Sequence, residues 1–136
     1  MSIAKEIYVN IPVWDLKRAK TFFSKLGFEF NKQFTDDNAA CMIVGPNIYV
    51  MLLVDKFFKT FTTKKLVDAF EATEVNICIS LGSKKEVDDM VKKAVAAHGK
   101  ATKTIDHGFM YQSGFEDRDG HNWELIYMNS ESSKQN

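Results

Sequence analysis

One pattern of hydrophobicity occurs twice in this sequence, and the repeat narrows the folds open to it. From Ile3 to Val13 the odd positions Ile3, Ile7, Val9, Ile11 and Val13 are apolar, while Glu6, Tyr8 and Asn10 are polar. That alternation predicts a half-buried strand. Asp15 stands at an N-cap position, Leu16, Ala19, Phe22, Phe23 and Leu26 follow at helical spacing, and Gly27 ends the helix. Three strand-like runs come next, Phe28–Phe34, Ala40–Val44 and Ile48–Val54, the last two split by Gly45-Pro46-Asn47.

The second half repeats the order. Val75, Ile77, Ile79 and Leu81 alternate with Asn76, Cys78 and Ser80, and Ser83-Lys84-Lys85-Glu86 has the form of a capping box. Val87, Met90, Val91, Ala94 and Val95 form the apolar stripe of a helix that Gly99 closes. Strands are predicted over Ala101–Ile105, Phe109–Phe115 and Asn122–Met128, the last pair joined at Asp119-Gly120. Val9-Asn10-Ile11 matches Val75-Asn76-Ile77. Either Asn10 or Tyr8 corresponds to Asn76, and because the two differ by two residues the face assignment is the same. Lys56 to Thr73, with Phe57, Phe58, Phe61, Leu66, Val67 and Phe70, reads as a helical connector packed on the sheet.

Composition removes several function classes. At 136 residues the chain suits one domain, and its 18 basic residues balance 18 acidic ones, so it lacks the basic excess that grips nucleic acid. The 11 phenylalanines fall at core spacings rather than among basic residues, which argues for packing over base stacking. The opening residues lack the apolar core of a signal peptide, and the uncharged run Asn38–Val54 is too short to cross a membrane. Cys41 and Cys78 have neither zinc nor redox spacing, so they are expected to be reduced core thiols of a cytoplasmic protein. Residues 130–136 are expected to fray.

A βαβββ unit used twice resembles the vicinal oxygen chelate superfamily, which includes glyoxalase I, bleomycin-resistance proteins and extradiol dioxygenases. The resemblance rests on Val13-Trp14-Asp15-Leu16 leading into Phe22-Phe23 and Leu26-Gly27-Phe28, and on Phe115-Glu116-Asp117-Arg118-Asp119-Gly120-His121-Asn122-Trp123-Glu124-Leu125. It spans roughly residues 3 to 129, and is nearest to bacterial proteins labelled predicted lactoylglutathione lyases. It implies an α+β fold, two βαβββ modules forming an incompletely closed eight-stranded barrel-like sheet. The modules fall at about 3–55 and 74–129, with the connector at 56–73, in a single domain spanning 1–136.

The resemblance also places metal-ligand positions on the first and last strands of each module, here Tyr8, Met51, Asn76 and Glu124. Only Glu124 matches the usual His, Gln or Glu donors. Met51 offers a soft thioether, Asn76 a neutral amide, and Tyr8 a phenol that keeps its proton near neutral pH. No cofactor is therefore expected, and a divalent metal is disfavoured.

Parity gives an independent indication of a site. The even residues Tyr8, Asn10, Asn76 and Cys78 share the face away from the helices, where unpartnered amides call for water or a ligand. The resemblance implies that Glu124 points into a partly apolar cavity as a general acid or base, or as a ligand-binding carboxylate; on the residues alone it is equally a strand glutamate facing water or paired with a lysine. His107, in Asp106-His107-Gly108-Phe109-Met110-Tyr111, is either a second acid–base group or a turn residue pinned by Asp106. Tyr8, Asn10, Met51, Asn76 and Tyr111 are the expected ligand-binding residues. His98 is expected at the helix C-terminus, and His121 on the face opposite Glu124.

Two functions fit: a metal-free small-molecule binder, or a lyase, isomerase or dioxygenase relative using Glu124 with His107 or Asn76. The neutral charge favours a neutral or aromatic ligand over a cationic one such as bleomycin. By analogy with the superfamily, a homodimer is expected.

Overall fold

The computed structural model describes residues 2–129, so the expected fraying of 130–136 falls outside the described residues. The chain divides into two compact units, one up to Leu66 and the other from Val67 on. Each carries its own mixed sheet and helix, an α+β architecture with open sheets of four and five strands. None of the described helices is long and apolar enough to cross a membrane.

The first unit runs β1 (Ile7–Val13), α1 (Leu16–Leu26), β2 (Glu29–Asn31), β3 (Ala39–Gly45), β4 (Ile48–Val54) and α2 (Asp55–Phe58), in sheet order β1-β4-β3-β2. β1 lies parallel to β4, and the other pairs are antiparallel. Asp15 caps α1 by accepting from the Arg18 N–H at 3.1 Å. Gly27 takes the left-handed φ of 105° that stops the helix. The apolar stripe of α1 (Leu16, Ala19, Phe22, Phe23 and Leu26) is buried, as are Ile11, Val13, Ala40, Met42, Val50 and Leu52 of one sheet face. Burying that stripe, rather than helix propensity, holds so short a helix in place.

The second unit runs β5 (Asn76–Ser80), α3 (Lys84–Ala96), β6 (Lys100–Ala101), β7 (Ile105–Asp106), β8 (Met110–Glu116) and β9 (Asn122–Met128). Its order is β5-β9-β8-β6, with β7 also on β8. Ser83 caps α3 by accepting from the Glu86 N–H at 3.1 Å. Phe115, Trp123 and Leu125 are buried on the helix side of the sheet, with Phe115 and Trp123 stacked at 6.1 Å.

Five expectations need correction. The first strand begins at Ile7 rather than Ile3, because β4 starts at Ile48 and the last bond available runs from the Ile7 N–H to the Asn47 carbonyl. The run Phe28–Phe34 pairs only over Glu29–Asn31; the Asn31 side chain then accepts from the Gln33 N–H and turns Lys32–Phe34 into a 3-10 turn. The connector is helical only over Asp55–Phe58, followed by a 3-10 turn at Lys59–Phe61. The run Ala101–Ile105 is broken into β6 and β7, where the Thr104 hydroxyl bonds the Ser113 hydroxyl at 2.7 Å, so nine strands replace eight. Finally, His98 rather than Gly99 takes the left-handed position after α3, with φ 77°, and the Gly99 N–H returns to the Ala94 carbonyl.

Candidate functional site

The closing motif builds the tightest local structure in the second unit. The carboxylate of Asp117, buried to 4% exposure, accepts from three N–H groups. Oδ1 takes Asp119 at 2.9 Å and His121 at 3.0 Å, and Oδ2 takes the Trp123 indole at 3.0 Å. Burial pushes this carboxyl above its ordinary range, opposed by the nearby His121 and by the N–H donors. Gly120, at φ 85°, completes the loop, and any Cβ there would meet Phe70 at 2.8 Å. The five-residue loop Asp117–His121 thus fixes where β9 begins, and with it the face that Glu124 takes.

Strand register places the candidate positions within each half. Tyr8 pairs with Tyr49, and Asn10 with Met51, which pairs in turn with Cys41. In the second unit Asn76 pairs with Asn122, and Cys78 with Glu124, which pairs with Gly114. Glu116 opposes Asn122 and Ile43 opposes Tyr49, and laying either Tyr8 or Asn10 on Asn76 keeps the same face.

On the first unit, Tyr8, Asn10, Tyr49, Met51 and Cys41 share the sheet face opposite the helix-packed residues. Tyr8 and Tyr49 stack at 4.9 Å with Tyr8 47% exposed, and Asn10 is exposed as well. Desolvation and the hydrogen bond to Glu6 at 3.1 Å raise the Tyr8 phenol above its ordinary value, which holds it neutral. The Cys41 thiol is likewise pushed up by burial, with Glu6 adding.

On the second unit, Asn76, Cys78, Gln112, Glu124 and Ile126 share one face. Glu124 is half-buried, and among the described residues its carboxylate has no hydrogen-bond or ion-pair partner. Cys78 is exposed beside it, not in the core as expected, and desolvation together with the Glu124 charge raises its thiol. His107 joins this face indirectly: its Nε2 lies 3.0 Å from Gln112 Oε1. Asp106 does not pin the His107 ring; it holds the Gly108 N–H at 2.9 Å and the Lys84 ammonium at 3.0 Å. Those two contacts, the backbone one foremost, lower the Asp106 carboxyl.

Tyr111 lies on the other face. Its register partner is Tyr127, and its hydroxyl donates to Asp88 of α3 at 2.6 Å, which raises the phenol. The structure therefore separates it from Glu124 and gives it a role in seating α3. His121 is a turn residue rather than a strand residue. Sequence reading missed Gln112 and Asp117. Alternation with Gly114 could have flagged Gln112, whereas Asp117 stands in the sequence only as one residue of the closing motif.

The side chains at the four inferred ligand positions suit a divalent cation poorly. A hard cation takes several oxygen donors. Here the set is a phenol held neutral, a thioether, an amide and one carboxylate. The described residues contain no group of three or more His, Cys, Asp or Glu side chains arranged to hold a metal.

Two open α+β units, each with a parallel first-to-last strand pair and a helix on one face, match the two-module arrangement of the glyoxalase-type fold. Residues 6–45 match the family described as bleomycin resistance protein-like N-terminal. The structure is similar to hypothetical protein SA1046 from S. aureus, with 26% identity, 93% of this chain and 95% of that one covered, and a TM-score of 0.78. It also resembles a glyoxalase/bleomycin resistance protein/dioxygenase family enzyme from Burkholderia phytofirmans PsJN (16% identity, 90% and 97% covered, TM-score 0.74). A third similar structure is lactoylglutathione lyase from Agrobacterium tumefaciens (14% identity, 93% and 96% covered, TM-score 0.66). At those last two identities the likeness speaks for fold alone. No curated protein matches the sequence.

Proposed function

We propose that this protein binds a small, uncharged organic molecule without a resident metal. The observation carrying this reading is the chemistry of Met51 and Glu124, the two last-strand positions that the resemblance singles out, one unable to serve a hard cation and the other a carboxylate with no partner among the described residues. Within the first unit Met51 shares its sheet face with the stacked Tyr8 and Tyr49 and with Asn10, and within the second unit Glu124 shares its face with Asn76, groups that bind by stacking and neutral hydrogen bonds. The balanced charge of the chain, 18 basic against 18 acidic residues, agrees with a neutral ligand.

A thermal-shift screen of neutral and aromatic compounds, run with and without EDTA, tests the reading, since a ligand of the native state raises its midpoint. Stabilisation that persists in EDTA and is lost in Glu124→Ala supports it. Stabilisation that appears only with added divalent metal refutes it.

A second reading rests on His107 reaching the Glu124 face through Gln112: a lyase of the lactoylglutathione lyase type, with Glu124 as general base and His107 or Asn76 assisting. Turnover of the methylglyoxal–glutathione hemithioacetal that disappears in Glu124→Gln would favour it. We also propose a cytoplasmic homodimer, by analogy with the superfamily and from the two free cysteines. Light scattering on the purified chain checks the oligomeric state.

A further inference from the structure

We propose that Gln112 and Glu124 together recognise a carboxamide or lactam group, and that His107 sets the orientation of Gln112 for this task. The inference rests on the metal-free reading of Glu124. Gln112 Oε1 can only accept, so the His107 Nε2 3.0 Å away carries the proton and donates to it. That leaves the Gln112 NH2 group as a donor with no partner among the described residues. His107 is itself held firmly. Its backbone N–H donates to the Met110 carbonyl at 2.8 Å, and the next residue, Gly108, is fixed by Asp106. The anchored backbone sets His107 beside Gln112, and the Nε2–Oε1 bond turns the other end of the Gln112 amide away from it.

Register then sets the spacing. Gln112 opposes Ile126 and Gly114 opposes Glu124, so Gln112 and Glu124 are diagonal neighbours on one face. Diagonal pairs stand roughly 7–8 Å apart, no hydrogen bond joins these two side chains, and one planar group can touch both. Gly114 leaves the position beside Glu124 without a side chain; a Cβ there would run into the Trp123 carbonyl and approach Thr102 Oγ1 at 2.8 Å. Glu124 accepts and Gln112 donates. The matching ligand group has a donor next to an acceptor, with its N–H to Glu124 and its C=O to Gln112. A carboxylate ligand would set charge against charge at Glu124, and an amine would have no acceptor for the Gln112 donor. Met110, Ile126 and Met128, on the same face, supply apolar surface beside the polar pair.

The test uses four ring-bearing probes with the full chain in EDTA, read by amide NMR: benzamide, acetophenone, benzoate and benzylamine. The Gln112 side-chain amide is identified by its loss in Gln112→Leu. Benzamide is expected to shift that signal and the backbone amides around Glu124, and to bind about tenfold tighter than acetophenone or benzoate, the effect of one hydrogen bond to a charged group. Gln112→Leu should abolish the preference. His107→Ala should narrow the benzamide-to-benzylamine ratio by about threefold as the amide is freed to turn, with the melting midpoint unchanged, which a merely structural histidine would not do. Equal binding of acetophenone, tighter binding of benzoate, shifts confined to other residues, or no shift with any probe would each overturn the inference. Shifts that require added magnesium or zinc would overturn the metal-free reading beneath it.

Discussion

Replacing Asp117 by asparagine, nearly isosteric, is expected to destabilise the second unit by an amount set by one hydrogen bond. Oδ1 serves the Asp119 and His121 N–H groups, and an asparagine oxygen can keep both. Oδ2 serves the indole of Trp123, which is 1% exposed, and an amide NH2 in that place sets donor against donor. A buried donor left unpaired costs about 1–3 kcal/mol. Asp117→Ala also removes the two turn bonds, at about 0.5–1.5 kcal/mol each, for about 2–6 kcal/mol in all. Urea unfolding followed by far-UV circular dichroism measures both. In a double-mutant cycle with Trp123→Phe, which deletes the donor, the asparagine penalty should largely vanish. Additive effects, or an alanine variant within about 0.5 kcal/mol of the parent, would refute the clamp, since that is the scatter of featureless surface changes. The pH dependence has a definite sign. Burial raises the folded-state Asp117 carboxyl, so its contribution to stability is fullest below the ordinary carboxylate range and is lost as pH rises through the raised value. The asparagine variant should lack that component.

Further outcomes are expected elsewhere. His98→Gly should stabilise the chain by about 0.5–1 kcal/mol in urea, because His98 bears the left-handed φ of 77° that glycine adopts freely. Gly114→Ala should cost more than about 2 kcal/mol, because its Cβ would meet the Trp123 carbonyl, a backbone atom that cannot swing aside. Ser83→Ala should cost about 1 kcal/mol through loss of the α3 cap. Cys78 should alkylate faster with iodoacetamide in Glu124→Gln, because removing that charge lowers the thiol back toward its ordinary value; mass spectrometry of the peptide reads the rate.

Much of this architecture was legible because it rests on short-range rules. The caps at Asp15 and Ser83, the stop at Gly27 and the alternation in β1 and β5 each reflect local chemistry, and each appears where the pattern puts it. What failed depends on partners distant in sequence. Whether Ile3 can be a strand residue is decided by where β4 begins, and whether residues 101–105 stay paired is decided by contacts such as Thr104 on Ser113. At the site, parity placed Tyr8, Asn10, Asn76 and Cys78 away from the helix faces, because β1 and β5 alternate cleanly. It could not place Tyr111, since the register of β8 against β9 is fixed by the Asp117 loop rather than by its own sequence pattern.

The central claim is that Glu124 faces a ligand rather than a metal. Elemental analysis of protein purified without chelators, parent beside Glu124→Ala, tests it most directly. The account predicts far less than stoichiometric divalent metal in both proteins. One tightly held metal per chain in the parent, absent from the variant, would contradict it.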